Sequence, residues 1–595
     1  MRVFEANITL LVSNFLNESL KEIVSIEKAN QKMYDAFGII HFFDNADDLQ
    51  TLKEVISENK NILEEPNRAE YGDFQTNEDL ASKVTLHLVS KNILPKVVIE
   101  PTCGKGNFII ASLKNFKSIK TIFGVEIYKP YVWETKFNII NFHLENPKSN
   151  KPEISILHRN VFDFDFNKIA KQFYLEEILI IGNPPWVTNS MLGSLNSMNL
   201  PRKNNFKNHS GLDAMTGKGN FDIAEFITMS LIENFQNSNG NLLLLVKNSV
   251  VKNIVFDQNK RNFKIGTIEK HSIDCKKEFN VSVEASLFYC KLNSVPEFNC
   301  KEFNFYQTLS PSGRVGEGLN FGWLENKFVS NIDTYNDTKE IDGESPFVWR
   351  QGLKHDCSSI MELDKVNWYY VNGLNEEIKL ESDLVYGILK SSDLKNTVIN
   401  QTRKYTIVTQ KKVGQDTKYI KSEFPKTYEY LMDHLSNFDA RKSSIYNNKP
   451  LFSIFGIGDY SFKPYKVAIS GLYKTFYFTL VLPQNEKPVM LDDTCYLIGF
   501  DKIEFAVYSL ILLNSKKATQ FLKSITFTDA KRTFTKDVLM RINLLELAKN
   551  MDLKELDIEL EKLNELYNLK LNLNLWKDFR NQMRPANRGQ LEMFA

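Results

Sequence analysis

Apolar positions in this chain gather into short unbroken runs separated by stretches with helical spacing. Lys96-Val97-Val98-Ile99-Glu100, Thr121-Ile122-Phe123-Gly124-Val125-Glu126-Ile127, Ile154-Ser155-Ile156-Leu157-His158, Ile178-Leu179-Ile180-Ile181 and Asn241-Leu242-Leu243-Leu244-Leu245-Val246 show little polar alternation. Such runs suit strands buried on both faces, as in a parallel sheet. Helical spacing predicts helices over 78–91, 109–113 and 222–234, with Thr76 or Asn77 as a suitable cap for the first. Thr267-Ile268 and 283–289 read as closing antiparallel strands. The alternation predicts a doubly wound α/β domain of Rossmann-like type over 71–295.

The flanks read differently. Leu10, Leu11, Phe15, Leu20, Ile23, Ile26 and Met33 recur at near-helical spacing until Pro66-Asn67. Residues 1–70 are therefore expected to be a helical cap or a partner-binding segment. From 296 to 550 the chain turns to aromatic and β-branched runs between turn signals, which predicts a second, mixed α+β domain. One β hairpin with exposed basic and aromatic residues is expected across 451–467. Residues 551–595 carry Leu556, Leu560, Leu563 and Tyr567 at helical spacing, then a frayed tail.

Composition narrows the picture. A chain of 595 residues is too long for one core. Lys plus Arg is 74 and Asp plus Glu is 73, so a nucleic-acid partner would require the positive charge to be concentrated on one face. Six cysteines without a CxxC pair fit a reducing compartment and no zinc site. The first residues lack a small-residue cleavage site, and no apolar run reaches the roughly 18 residues of a membrane span. A cytoplasmic location is expected.

Candidate chemistry lies at the strand ends, where ligands bind in open α/β sheets. The first core strand leads into Pro101-Thr102-Cys103-Gly104-Lys105-Gly106-Asn107. Such glycines let the backbone approach a ligand. The third glycine of the dinucleotide fingerprint and the lysine of a P-loop are both missing, which favours a smaller nucleoside ligand. Glu126, about 20 residues on, sits where an acid accepts from a ribose diol. Asn160 and Phe162 can offer a polar group and a ring to an adenine. The run 178–181 ends in Gly182-Asn183-Pro184-Pro185-Trp186, and the prolines stop the strand.

In this order, Gly72-Asp73-Phe74-Gln75-Thr76, Glu100-Pro101-x-x-Gly104-x-Gly106, Glu126 and Asn183-Pro184-Pro185-Trp186 resemble the motif series of the S-adenosylmethionine-dependent DNA methyltransferases that methylate amines. The order is similar to the gamma class of N6-adenine enzymes of type II restriction-modification systems. The gap from Gly106 to Asn183 is too short to hold a recognition domain. The resemblance implies that Gln75 and Thr76 hold the cofactor's amino-acid end, and that Glu100, Cys103, Gly104 and Gly106 line its methionine moiety. Glu126 would bind the ribose, and Asn160 and Phe162 would flank the adenine, although the family more often has aspartate at the place of Asn160. Asn183, bordering the cofactor too, would act with Pro184, Pro185 and Trp186 on the target amine. Trp186 and Phe279 would stack on a flipped base.

The resemblance further makes 296–550 a target-recognition domain. Arg202, Lys203, Arg350, Arg403, Lys411 and Lys412 are the DNA-binding candidates, and no metal is implied. The implied partners are double-stranded DNA and a cognate restriction endonuclease. An RNA or protein amine methyltransferase, or a non-catalytic DNA-binding subunit of a restriction-modification complex, are the alternatives.

Overall fold

Each of the unbroken apolar runs forms a strand. The computed structural model describes residues 2–58, 75–187, 222–308, 318–527 and 532–584. Gly72, Asp73 and Phe74, and Arg202 and Lys203, lie outside the described residues. The chain divides into two units, Met1–Phe328 and Val329–Ala595.

The first unit is built on a sheet of eleven strands among the described residues. In chain order these are β1 (Ile39–Ile40), β2 (Val97–Glu100), β3 (Thr121–Glu126), β4 (Glu153–His158), β5 (Ile178–Gly182), β6 (Gly240–Lys247), β7 (Ile265–Ser272), β8 (Ala285–Leu292), β9 (Asn299–Asn304), β10 (Leu319–Leu324) and β11 (Lys327–Val329). Their order across the sheet is β11-β10-β9-β7-β8-β6-β5-β2-β3-β4-β1. From β1 to β6 all neighbours are parallel. β8 runs antiparallel between β6 and β7. Ile178 to Ile181 of β5 are fully buried, as a central parallel strand covered on both faces requires. The chain goes from β2 outward to β3 and β4, then returns to place β5 on the other side of β2. A crevice forms at such a reversal, beyond the carboxyl ends of β2 and β5.

Among the described residues, the helices of this unit are α1 (Leu10–Leu20), α2 (Ile26–Phe37), α3 (Ala46–Glu58), α4 (Glu78–Ser90), α5 (Asn107–Asn115), α6 (Lys129–Glu145), α7 (Phe166–Gln172), α8 (Ile223–Phe235), α9 (Asn248–Arg261), α10 (Cys275–Phe279) and the single turn Phe305–Thr308. Asn77 caps α4, accepting from Leu80 N. α6 was not foreshadowed by spacing, because its buried residues lie all round the helix.

The compact units do not separate at 70/71 or 295/296. The N-terminal segment shares a core with α6: Phe42 and Phe43, in the turn between β1 and α3, pack on Trp133. Lys136 is buried and donates to the carbonyls of Phe42 (2.9 Å) and His41 (3.4 Å). Residues 39–40 are not helical but form β1, parallel to β4. At the other end, β9 pairs with β7 and carries the sheet on beyond 295.

The second unit is mixed α+β, with sheets of five and six strands. The helix Ile503–Asn514 packs against Leu553–Tyr567 and Trp576–Gln582. The hairpin expected across 451–467 is absent: Asp459–Phe462 is a 3-10 turn and a strand begins only at Tyr465. Lys466 is fully buried rather than exposed, donating to the Lys463 carbonyl at 2.7 Å, and burial brings its ammonium down to about 7. Arg350 lies over the Tyr460 ring at 5.4 Å. Arg403 pairs with Asp393 at 2.7 Å. Lys411 and Lys412 are exposed in a turn. No helix among the described residues is long and apolar enough to cross a membrane.

Candidate functional site

Glu100 ends β2, and the chain then turns through the glycine loop. Cys103 N donates to Val125 O at 2.9 Å and Gly106 N to Cys103 O at 2.8 Å, closing the turn. Both loop glycines have positive φ, +51° at Gly104 and +80° at Gly106. A Cβ on Gly104 would lie 2.6 Å from Gln75 Oε1, and one on Gly106 2.7 Å from Thr135 Cγ2. α6 holds the loop from behind: Thr135 Oγ1 donates to Gly104 O (2.8 Å) and Asn138 Nδ2 to Lys105 O (2.9 Å). Gln75 Oε1 accepts from Lys105 N at 3.3 Å.

Two carboxylates face this loop. Glu126, at the end of β3, accepts from Gly104 N at 2.9 Å and from Tyr128 N at 2.8 Å. It therefore clasps the loop as well as lining the crevice, a second role that strand-end spacing did not reveal. Glu100 is only 3% exposed, and its Oε2 has no hydrogen-bond partner among the described residues. Burial pushes its acid well above the usual carboxylate range. The Glu126 charge adds to this, and the Ile109 backbone N–H opposes it. Cys103 is buried as well, which pushes its thiol up and leaves it a packing residue rather than a nucleophile.

At the carboxyl end of β5, Asn183 Nδ2 donates to Thr76 Oγ1 at 3.2 Å. Thr76 is buried, and its carbonyl accepts from Asn107 Nδ2 at 2.6 Å. Thr102 Oγ1 donates to Asn183 O at 3.4 Å. Beyond the prolines, Trp186 is buried with Nε1 donating to Leu245 O at 3.2 Å. Its ring meets Phe279 edge-on, centroids 5.2 Å apart and planes at 66°. The two rings touch each other instead of lying parallel across a gap. On the far side, Asn160 Oδ1 accepts from Phe162 N at 3.0 Å, and the Phe162 ring packs on Phe226.

Most of these groups line one cavity whose envelope, about 880 Å³, includes open solvent. Gln75, Thr76, Glu100, Cys103, Gly104, Glu126, Asn160, Phe162, Asn183, Pro184 and Pro185 all line it. Gly106, Trp186 and Phe279 do not: Gly106 sets the backbone turn, Trp186 sits behind the prolines and Phe279 packs on Trp186. The lining also includes Arg159, Tyr128, Tyr131, Asn107, Ile223 and Ile227, which sequence reasoning missed. Only their adjacency to Asn160, Glu126, Gly106 and the predicted start of α8 could have pointed to them. A glycine cradle, an unpartnered buried carboxyl oxygen, a second carboxylate and an amide-plus-ring end fit a nucleoside joined to a cationic amino acid. The residues present therefore suit S-adenosylmethionine.

No family model matches this chain. It is 40% identical over 486 residues to the type II methyltransferase M.NspV of Nostoc sp., covering 82% of this chain and 98% of that protein. Among solved structures it is similar to the type IIL restriction-modification enzyme MmeI, determined in complex with DNA. That match has a TM-score of 0.51 and 12% identity, over 92% of this chain and 84% of the other. At that identity the likeness concerns the fold.

Proposed function

This chain belongs to the type II DNA methyltransferases of restriction-modification systems, and on that premise we propose that it methylates the N6 amine of an adenine in a specific double-stranded sequence. Its methyl donor is S-adenosylmethionine. The modification shields cytoplasmic host DNA from a cognate restriction endonuclease. The observation that carries this reading is the Asn183 amide, held by Thr76 at the carboxyl end of β5 and lining the cavity.

An adenine amine is a poor nucleophile because its lone pair is delocalised into the ring. The Asn183 side-chain oxygen and the Pro184 carbonyl accept from its two hydrogens, favour a pyramidal nitrogen and stabilise the positive charge that grows there. Pro184 has a fixed φ, which aims its carbonyl. When bound, S-adenosylmethionine supplies an electrophilic methyl group on a sulfonium. Glu126 and the glycine loop hold and orient the donor, so alignment does most of the work. A duplex buries the amine, so the base is flipped into the site. Phe279 meets the flipped base, and Trp186, buried behind the prolines with its edge to Phe279 in the free chain, stacks on the base once its ring moves towards the cavity. Asparagine at the first motif position supports adenine, since N4-cytosine enzymes usually carry serine there.

The second unit serves as the target-recognition domain. Its exposed Lys411-Lys412 turn and the Arg350 guanidinium meet DNA phosphates, while Arg403 must first leave Asp393. The test is expression in a methylation-free host, with modified bases mapped genome-wide beside Asn183→Ala. Modified adenines confined to one short motif, and lost in the variant, are expected. Modified cytosines would correct the base, and unmodified DNA despite bound cofactor would overturn the reading.

A further inference from the structure

Contacts around the catalytic motif close into a ring. Asn183 holds Thr76, and three residues further on Trp186 touches Phe279. The residue before Phe279 is Glu278, whose Oε2 accepts from Asn77 Nδ2 at 2.9 Å. Asn77 follows Thr76 directly, so the path returns to its start. The other Glu278 oxygen accepts from the Tyr306 hydroxyl at 2.7 Å, and Tyr306 in turn accepts from Asp274 N at 3.4 Å. Lys277 Nζ lies over the Tyr306 ring at 5.2 Å. Both ends of this bridge are fixed to helix termini: Asn77 Oδ1 caps α4 and Asp274 Oδ1 caps α10. Glu278 thus joins the segment that lines the donor cavity to the helix that carries Phe279.

We propose that Glu278 is a positioning residue that couples donor binding to the placement of the target base, through Asn77 on one side and Phe279 on the other. This rests on the reading above, in which Thr76 borders the donor and Phe279 faces the flipped base. Ordering the 75–77 segment by a bound donor orders Asn77. The carboxylate passes that order to α10, and the ring that meets the base is held in place. Coupling of this kind is reciprocal, so the donor site strengthens DNA binding by the factor by which DNA strengthens donor binding.

The experiment uses the full chain, a fluorescent duplex carrying the motif mapped in the host, and S-adenosylhomocysteine as the unreactive occupant of the donor site. The measured quantity is the ratio of DNA dissociation constants without and with S-adenosylhomocysteine. A ratio of roughly ten is expected for the natural chain, within the usual range of coupling between sites. It falls towards one in Glu278→Ala and in Asn77→Ser, where serine keeps the helix cap but cannot reach Glu278. The double variant falls no further. Glu278→Gln, which can still bridge Asn77 and Tyr306, keeps most of the ratio and covers the case in which Glu278→Ala fails to fold. A natural-chain ratio of one, or an undiminished ratio in Asn77→Ser and in folded Glu278→Ala, overturns the proposal. If Asn183→Ala loses methylation while the ratio survives in Glu278→Ala, the coupling alone is wrong. If Asn183→Ala still methylates, the reading beneath it is wrong.

Discussion

Asn183 Nδ2 and Thr76 Oγ1 are 3.2 Å apart, a hydrogen bond that turns the amide nitrogen towards Thr76. On the proposed mechanism, the amide oxygen is then the end that serves the target amine. Thr76→Ala should therefore lower the single-turnover methylation rate by roughly tenfold, the equivalent of one hydrogen bond of about 1 kcal/mol or slightly more. Thr76→Ser, which keeps the hydroxyl, should stay close to the natural rate. Equal rates for Thr76→Ala and the natural chain would remove Thr76 from the mechanism.

The two loop glycines should respond differently to a methyl group. At Gly106 the new Cβ meets Thr135 Cγ2, part of a β-branched side chain buried in α6, so the backbone must shift. Gly106→Ala should lower unfolding stability by about 1–2 kcal/mol, the cost of left-handed backbone for a residue with a Cβ, plus the clash. At Gly104 the obstacle is the far end of Gln75, which can swing away. Gly104→Ala should lose less stability but bind S-adenosylhomocysteine more weakly. Urea melts and titration calorimetry of both variants separate the two outcomes.

On the proposed reading, Glu100 should make donor binding depend on pH. Its acid is raised by burial, so the free enzyme keeps it protonated at pH values where an exposed glutamate is ionised. A cationic donor favours the ionised form. Binding therefore expels a proton, and affinity rises with pH until the raised acid of the free enzyme has titrated. Glu100→Gln should bind more weakly and lose the slope. Calorimetry in buffers of different ionisation enthalpy reads the proton directly. No proton release in the natural chain would contradict this role.

Two imidazoles make the first unit acid-sensitive. Burial brings His87 down to about 4, helped by neighbouring His271 and Lys91, and burial with the Lys151 charge does the same for His143. In the unfolded chain both return to about 6.5. Between those values the unfolded chain takes up protons that the folded one refuses, so stability falls as pH drops from about 6.5 to 4. Glu269, held at about 2 by hydrogen bonds from His271 and Lys91 that outweigh its burial, adds its own loss only below the ordinary carboxylate value. The urea midpoint should therefore already fall between pH 7 and 5, and fall less in a His87→Gln, His143→Gln double variant.

What the sequence disclosed follows from how each feature is encoded. β5 and Asn183 were legible because four consecutive apolar residues and two prolines are local signals. The clasp that Glu126 places on Gly104 was not, because it depends on where the loop's N–H points once folded. α6 escaped because burial all round it erases amphipathic spacing. β1 escaped because two residues carry no periodicity. Lys466 was misread as exposed because lysine is so rarely buried that its identity argues against the interior. The unit boundary shifted because β9 recruits residues beyond 295 into the sheet, a pairing that no linker composition announced.

β1 is short, yet it covers the outer side of β4 and closes that side of the parallel sheet. A chain shortened to begin at Gln75 would keep every residue of the candidate site and still lose this cover. β4 would then present a bare row of N–H and C=O groups, ready to pair with another molecule. Buried Lys136 would lose the carbonyls that receive its protons. Removing the first residues should thus cost solubility before it costs chemistry, with self-association as the first symptom.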